Sequence, residues 1–137
     1  GQLAPFHCAP FVEGEHTFLS VDQYNEYHKA LMFATFSKNV DLAKKILEET
    51  DNSMYVVLGR QLFIDSGVWD EKKFDVAKRG TLLKFQQNPR LKRALLATGT
   101  KKLLFTLDNH FWGTYYGGGL NNYGKILEEI RQELATE

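Results

Sequence analysis

With 137 residues, 43% of them hydrophobic and 25% charged, the chain has the composition of an ordinary globular protein, and a single domain over residues 1–137 is expected. Seventeen Lys and Arg balance seventeen Asp and Glu, so no global field draws the protein to nucleic acid or to an anionic membrane. Cys8 is the only cysteine, which excludes an intrachain disulfide and a thiolate zinc site and points to a reducing compartment, cytoplasm or nucleus.

Residues 3–19, "LAPFHCAPFVEGEHTFL", carry two prolines and then alternate apolar with polar, which predicts short strands around a turn near Glu13-Gly14. Ser20 is a good N-cap, and Tyr24, Tyr27 and Leu31 follow at helical spacing, so a helix should run to about Phe36. Asn39 should cap the next helix, with Val40, Ala43, Ile46 and Leu47 as its apolar stripe. A third helix is expected from Asn52 or Ser53 to about Phe63. Gly67 breaks the pattern, and Asp70 should cap a longer helix through "EKKFDVAKRGTLLKFQQN" that tolerates Gly80 at a cost of about 1 kcal/mol relative to Ala. Pro89 opens a helix and Gly99 closes it from the C′ position. "KKLLFTL" reads as a strand, residues 108–124, "DNHFWGTYYGGGLNNYG", as a glycine-rich aromatic loop, and "NYGKILEEIRQELA" as a last amphipathic helix. The expected fold class is α+β, compact and mostly helical with a small sheet. No apolar run approaches the ~20 residues that cross a bilayer.

The residues able to carry chemistry are few. His7, His16, His28 and His110 are scattered without the spacing of a shared helix face, so no metal site is expected. No nucleophile elbow and no phosphate-binding lysine loop is present. Lys29 sits in the apolar helical segment "YHKALMF". By pattern it is either a lysine that snorkels to solvent or a buried amine able to act as a nucleophile. Asp22 lies seven residues earlier, two turns away on the same face, where an acid–base pair and a plain surface pattern are both open. Trp69 and Trp112 suit a core, but Trp112 precedes Gly113 and the glycine run, so it can also wall a pocket for a planar ligand.

Taken in order, "LAPFHCAPF", "FLSVDQYNEYHKALMF", "VWDEKKFDVAKRGTLLKFQQNPRLKRALLATG" and "DNHFWGTYYGGGLNNYGKILEEIRQEL" resemble the successive motifs of the NADAR superfamily, the YbiA-like N-glycosyl hydrolases, over nearly the whole chain. The resemblance implies a compact α+β domain that cleaves N-glycosidic bonds at C1 of a ribose, in ribosylated pyrimidines or in ADP-ribose attached to guanine, with no cofactor. It implies that Lys29 attacks or traps C1 and that Asp22 stands at the helix acid; Asp108 lies one step from the position of the family's later aspartate. It further implies that Trp112, Gly113, Gly118, Gly119, Asn121 and Gly124 hold a ribose or phosphate. Several family positions differ here. The family's helix glutamate is Asp22, its histidine Gln23 and its glutamine Glu26; its serine–asparagine pair is Ala4-Pro5. The expected strand glutamate falls at Leu104, the aspartate before the tryptophan at Asn109, and the loop lysine at Leu120. Asn and Leu supply no titratable group. The expectation is therefore a catalytically weakened or inactive NADAR-like domain that recognises a nucleotide or ADP-ribose-like ligand or a protein partner, with Tyr115, Tyr116 and Leu120 facing the partner. The alternative is an active N-glycosyl hydrolase using Lys29 with Asp22 or Asp108.

Overall fold

The computed structural model describes residues 3–4, 7 and 9–137; Pro5, Phe6 and Cys8 of the opening motif lie outside the described residues. A two-stranded antiparallel hairpin, β1 (Phe11–Glu13) and β2 (His16–Phe18), precedes six helices: α1 (Val21–Met32), α2 (Ser37–Glu48), α3 (Ser53–Gly59), α4 (Ser66–Gln87), α5 (Pro89–Ala97) and α6 (Asn122–Ala135). The hairpin pairs Phe11 with Phe18 and Glu13 with His16 across a turn in which Gly14 adopts φ +60°. The α+β expectation holds.

The long α4 is the spine. Its Trp69 and Val76 join a core with Phe11, Phe18, Tyr24, Tyr27, Ile46 and Tyr55, contributed by the hairpin and the first three helices. Its Ala77 and Phe85 join a second core with Leu95, Ile126, Leu127 and Ile130 of α5 and α6. Covered on two sides, α4 has no single apolar stripe. Gly80 sits where α1 crosses it: the Tyr24 ring occupies the space a β-carbon would need. The Tyr24 hydroxyl donates to Glu13 Oε2 at 2.8 Å and accepts from Arg79 Nε at 2.6 Å, tying hairpin, α1 and α4 together.

Local signals set several helix ends. Ser20 Oγ accepts from Gln23 N at 3.2 Å, as an N-cap should. Pro89 starts α5, and Gly99 follows it at φ +63°. Five expectations need correction. α1 stops at Met32, short of Phe36, and α3 stops at Gly59, short of Phe63. Asn39 is not a cap: it is buried inside α2, donating to Phe33 O (2.9 Å) and Phe63 O (2.7 Å) and accepting from Phe63 N, so it staples two connections, and Leu42 replaces the exposed Val40 in the stripe. α4 starts at Ser66 rather than beyond Asp70, because Asp65 Oδ1 accepts from Gly67 N (3.0 Å) and Val68 N (3.2 Å). Finally, "KKLLFTL" is an irregular extended segment. Side chains hold much of its backbone: Leu103 N donates to Glu128 Oε2 (3.0 Å), Phe105 N to Asn121 Oδ1 (3.0 Å), and Leu103 O accepts from Asn121 Nδ2 (2.8 Å), while Phe105 O accepts from Thr114 N (2.7 Å).

Candidate functional site

A cleft opens between α1 and the 107–112 loop, with α4 at its base and α3 along one rim. It has two halves that share Asp22, Asn25, Asn109 and Trp112. The larger, about 460 Å³, is completed by Glu26, Lys29, Asn52, Ser53, Val56, Trp69 and Lys73. The smaller, about 290 Å³, is completed by Val21, Ala77, Leu107, Asp108 and Tyr123. Positions 22, 25, 26 and 29 fall on one helix face, which is why α1 supplies both acids and the amine.

Lys29 Nζ lies 2.9 Å from Glu26 Oε1, and the two side chains are only 12% and 14% exposed. The ammonium also stands 5.7 Å from the Trp69 ring centroid. Lys29 is therefore not a snorkelling lysine. Asp22 accepts from Asn52 Nδ2 at 3.1 Å. Burial pushes its carboxyl above the ordinary value, against the opposing pull of the Asn52 amide and the Lys84 charge. Burial likewise raises Glu26, partly offset by Lys29. Asn109 Oδ1 accepts from Phe111 N and Trp112 N, both at 2.9 Å, and this turn sets Trp112 against the cleft. Among the described residues, the buried side-chain oxygens and nitrogens without a partner are Asn25 Oδ1, Glu26 Oε2 and Asn52 Oδ1. All three belong to residues that line this cleft. An unpaired buried polar atom costs roughly 1–3 kcal/mol, so their concentration at one place asks for a function.

The raised Asp22 carboxyl has a consequence for stability. The folded chain holds this proton more tightly than the unfolded chain, whose ordinary value is 3.8, so stability falls as pH rises through the interval between the two values. Asp22→Asn removes the buried charge. The variant should melt higher than the parent at pH 7, and the gain should vanish as pH falls to about 3.8; thermal melts across that range check it.

Lys29, Asp22, Asp108 and Trp112 thus come together around one cleft. The glycine loop is placed differently. Gly113 packs on Leu107, Gly119 on the carbonyl of Gly113, and Gly124 on the carbonyl of Leu103 and the Asn121 side chain, each so closely that a β-carbon would collide. Asn121, at φ +52°, spends its amide on Leu103 and Phe105. None of these, nor Gly118, lines either half of the cleft. Leu104, offered as a lost acid, is 61% exposed and also lies outside both halves. The acid that sequence reasoning passed over is Glu26. Its signal was the four-residue spacing from Asp22 and the three-residue spacing to Lys29.

Tyr115, Tyr116 and Leu120, expected to face a partner, are all exposed, Tyr116 at 90%. Tyr115 and Tyr116 both have positive φ, 39° and 54°. Left-handed backbone costs a side-chain-bearing residue about 1–2 kcal/mol, and Asn tolerates it better. Tyr116→Asn should therefore raise the denaturation midpoint by the equivalent of about 0.5–1 kcal/mol.

The NADAR domain profile matches residues 1–135. The chain belongs to the NADAR family. It is 32% identical to the N-glycosidase R617 of Acanthamoeba polyphaga mimivirus over 96% of its own length and 85% of that protein's. It is 30% identical to the protein irg-1 of Caenorhabditis elegans, of which it spans 62%. It is 37% identical to the N-glycosidase YbiA of Escherichia coli K12 over 50% of this chain and 44% of that one. The solution structure of Escherichia coli YbiA superposes with a TM-score of 0.84 at 25% identity, covering 99% of this chain and 79% of that one. Among the described residues of this NADAR chain, no helix is long and apolar enough to cross a membrane, and no cluster of three or more His, Cys, Asp or Glu could hold a metal ion.

Proposed function

We propose that the chain is an N-glycosidase that cleaves the bond between C1 of a ribose and a nucleobase nitrogen. One observation carries the reading: a shielded lysine, paired with a carboxylate, shares a cleft with a second buried acid and two tryptophans in a chain whose relatives R617 and YbiA are named N-glycosidases. Lys29 is the nucleophile toward C1. Asp22, whose burial favours the protonated form, supplies the proton the departing base must take, with Asp108 flanking it in the smaller half. Trp69 and Trp112 offer faces to the base or the sugar. The unpaired oxygens of Asn25 and Asn52 suit the hydroxyl donors of a ribose, which would relieve their desolvation cost. The positions that differ from the family pattern do not strip the cleft of acids, since Asp22, Glu26 and Asp108 line it.

The test is incubation with guanine-linked ADP-ribose on nucleic acid and with ribosylated pyrimidines, following free base and sugar. Release that depends on Lys29 is the expected result; no release from either class overturns the reading. The exposure of Tyr115, Tyr116 and Leu120 favours a second, separate role in binding a protein. Tyr115→Ala with Leu120→Ser should then remove a captured partner while leaving base release intact.

A further inference from the structure

Two of the carboxylates lining the cleft share α1 with Lys29, and their surroundings give them different work. Asp22 is engaged by the Asn52 amide, and no ion pair joins it to Lys29 within 4.0 Å among the described residues. Glu26 is engaged by Lys29 itself, Oε1 to Nζ at 2.9 Å, within one helix at positions three apart. Its other oxygen, Oε2, is buried without a hydrogen-bond partner and occupies the space a β-carbon on Gly59 of α3 would need. Its negative charge is eased chiefly by Lys29, with a smaller contribution from Arg60.

We infer that Glu26 is the proton partner of Lys29, taking the ammonium proton so that Nζ can bond to the sugar's C1 and returning it when that bond's charge requires it. The inference rests on the reading of Lys29 as a nucleophile. An ammonium has no lone pair, so the proton must leave before the Nζ–C1 bond forms. Transfer to Glu26 turns a buried ion pair into a neutral amine and a neutral acid, which removes the burial cost of both charges. The free amine then attacks C1 as the C1–base bond breaks, and Asp22 protonates the departing nitrogen. Water attacks C1 and expels the Lys29 amine; the surplus water proton restores Asp22, and Glu26 re-protonates Lys29. Burial raises Glu26 above an ordinary carboxyl, in keeping with an acid that accepts a proton readily.

The test reads the amine directly and does not depend on base release. The whole chain is incubated with ribose and cyanoborohydride, and the adduct at Lys29 is quantified by peptide mass spectrometry. Nζ bonds to the aldehyde carbon of open-chain ribose, Glu26 protonates the carbinolamine hydroxyl, water leaves, and the reagent's hydride reduces the iminium. Glu26→Gln keeps shape and removes the proton function; it should lower trapping at Lys29 on the order of 10²-fold, the lower end of acid–base contributions. Glu26→Ala should lose as much and recover with added formate, which replaces the missing carboxylate. A loss in Glu26→Gln smaller than about tenfold overturns the inference. So does Glu26→Ala that formate fails to restore, which would leave Glu26 only holding Lys29 in place, and so does wild-type protein that forms no Lys29 adduct. Wild type that traps ribose but releases no base from any N-glycoside would instead defeat the proposed function and leave the proton role standing.

Discussion

Lys29→Arg should abolish base release, by on the order of 10³-fold or more, while the domain stays folded. Arginine keeps the positive charge that Glu26 needs beside it, and it retains a cation near the Trp69 ring. What it cannot do is give up a proton and bond to carbon, because the guanidinium stays charged. Lys29→Ala should lose as much activity and also some stability, since Glu26 would keep a buried carboxylate with neither oxygen paired. The pair of variants separates charge from nucleophilicity. Arginine that retains activity within about tenfold would show that the ammonium acts only as a charge, for instance by steadying the developing charge on the sugar. The measurement is single-turnover release of base, with melting temperatures recorded for both variants.

Much of the fold was legible because its signals are local. Ser20, Gly14, Pro89 and Gly99 each act through their own backbone or one turn of helix, and each does what its residue type predicts. The errors fall where a distant partner decides. Asn39 reads as a cap from its neighbours, but its partner Phe63 lies 24 positions away. Residues 101–107 read as a strand from their apolar pattern, but among the described residues no strand pairs with them; Asn121 and Glu128, 16 to 25 positions downstream, and the Thr114 backbone bond parts of their backbone instead. Gly67 reads as a breaker, yet an N-terminal turn tolerates it because Asp65 caps its N–H.

The site divides along the same line. Residue type and spacing left Lys29, Asp22 and Trp112 open between surface or core and site roles; the family resemblance singled them out. Asn25 and Asn52 were not, because their significance lies in oxygens left without partners, which only packing reveals. Glu26 was visible as a departure from the family's pattern. Its meaning depended on the 2.9 Å approach to Lys29 and on Gly59 lying beneath it.

The glycine-rich stretch gives the last expected result, a series in which neighbouring glycines respond oppositely. Gly119→Ala and Gly124→Ala should each destabilise the domain by about 2–3 kcal/mol or more, whereas Gly118→Ala should stay within about 0.5 kcal/mol of the parent. At Gly119 a methyl would drive into the Gly113 carbonyl and the Thr114 backbone, and at Gly124 into the Leu103 carbonyl and the Asn121 side chain. Main chain cannot step aside as a flexible side chain can. The Asn121 amide also holds Leu103 and Phe105, so displacing it frees the extended segment as well. That segment and the Asn109 turn together carry Trp112 to the cleft, so the same two variants should weaken ligand binding along with stability. Gly118 has the Tyr115 carbonyl at 3.9 Å as its nearest neighbour and φ outside the left-handed range, so a methyl there meets little. Denaturant melts and base release on all three variants decide what the stretch is for. If Gly118→Ala spares stability but lowers substrate affinity, its backbone contacts the ligand; if it changes neither, this part of the loop is a packed wall behind Trp112, and the glycines serve close approach of chain to chain.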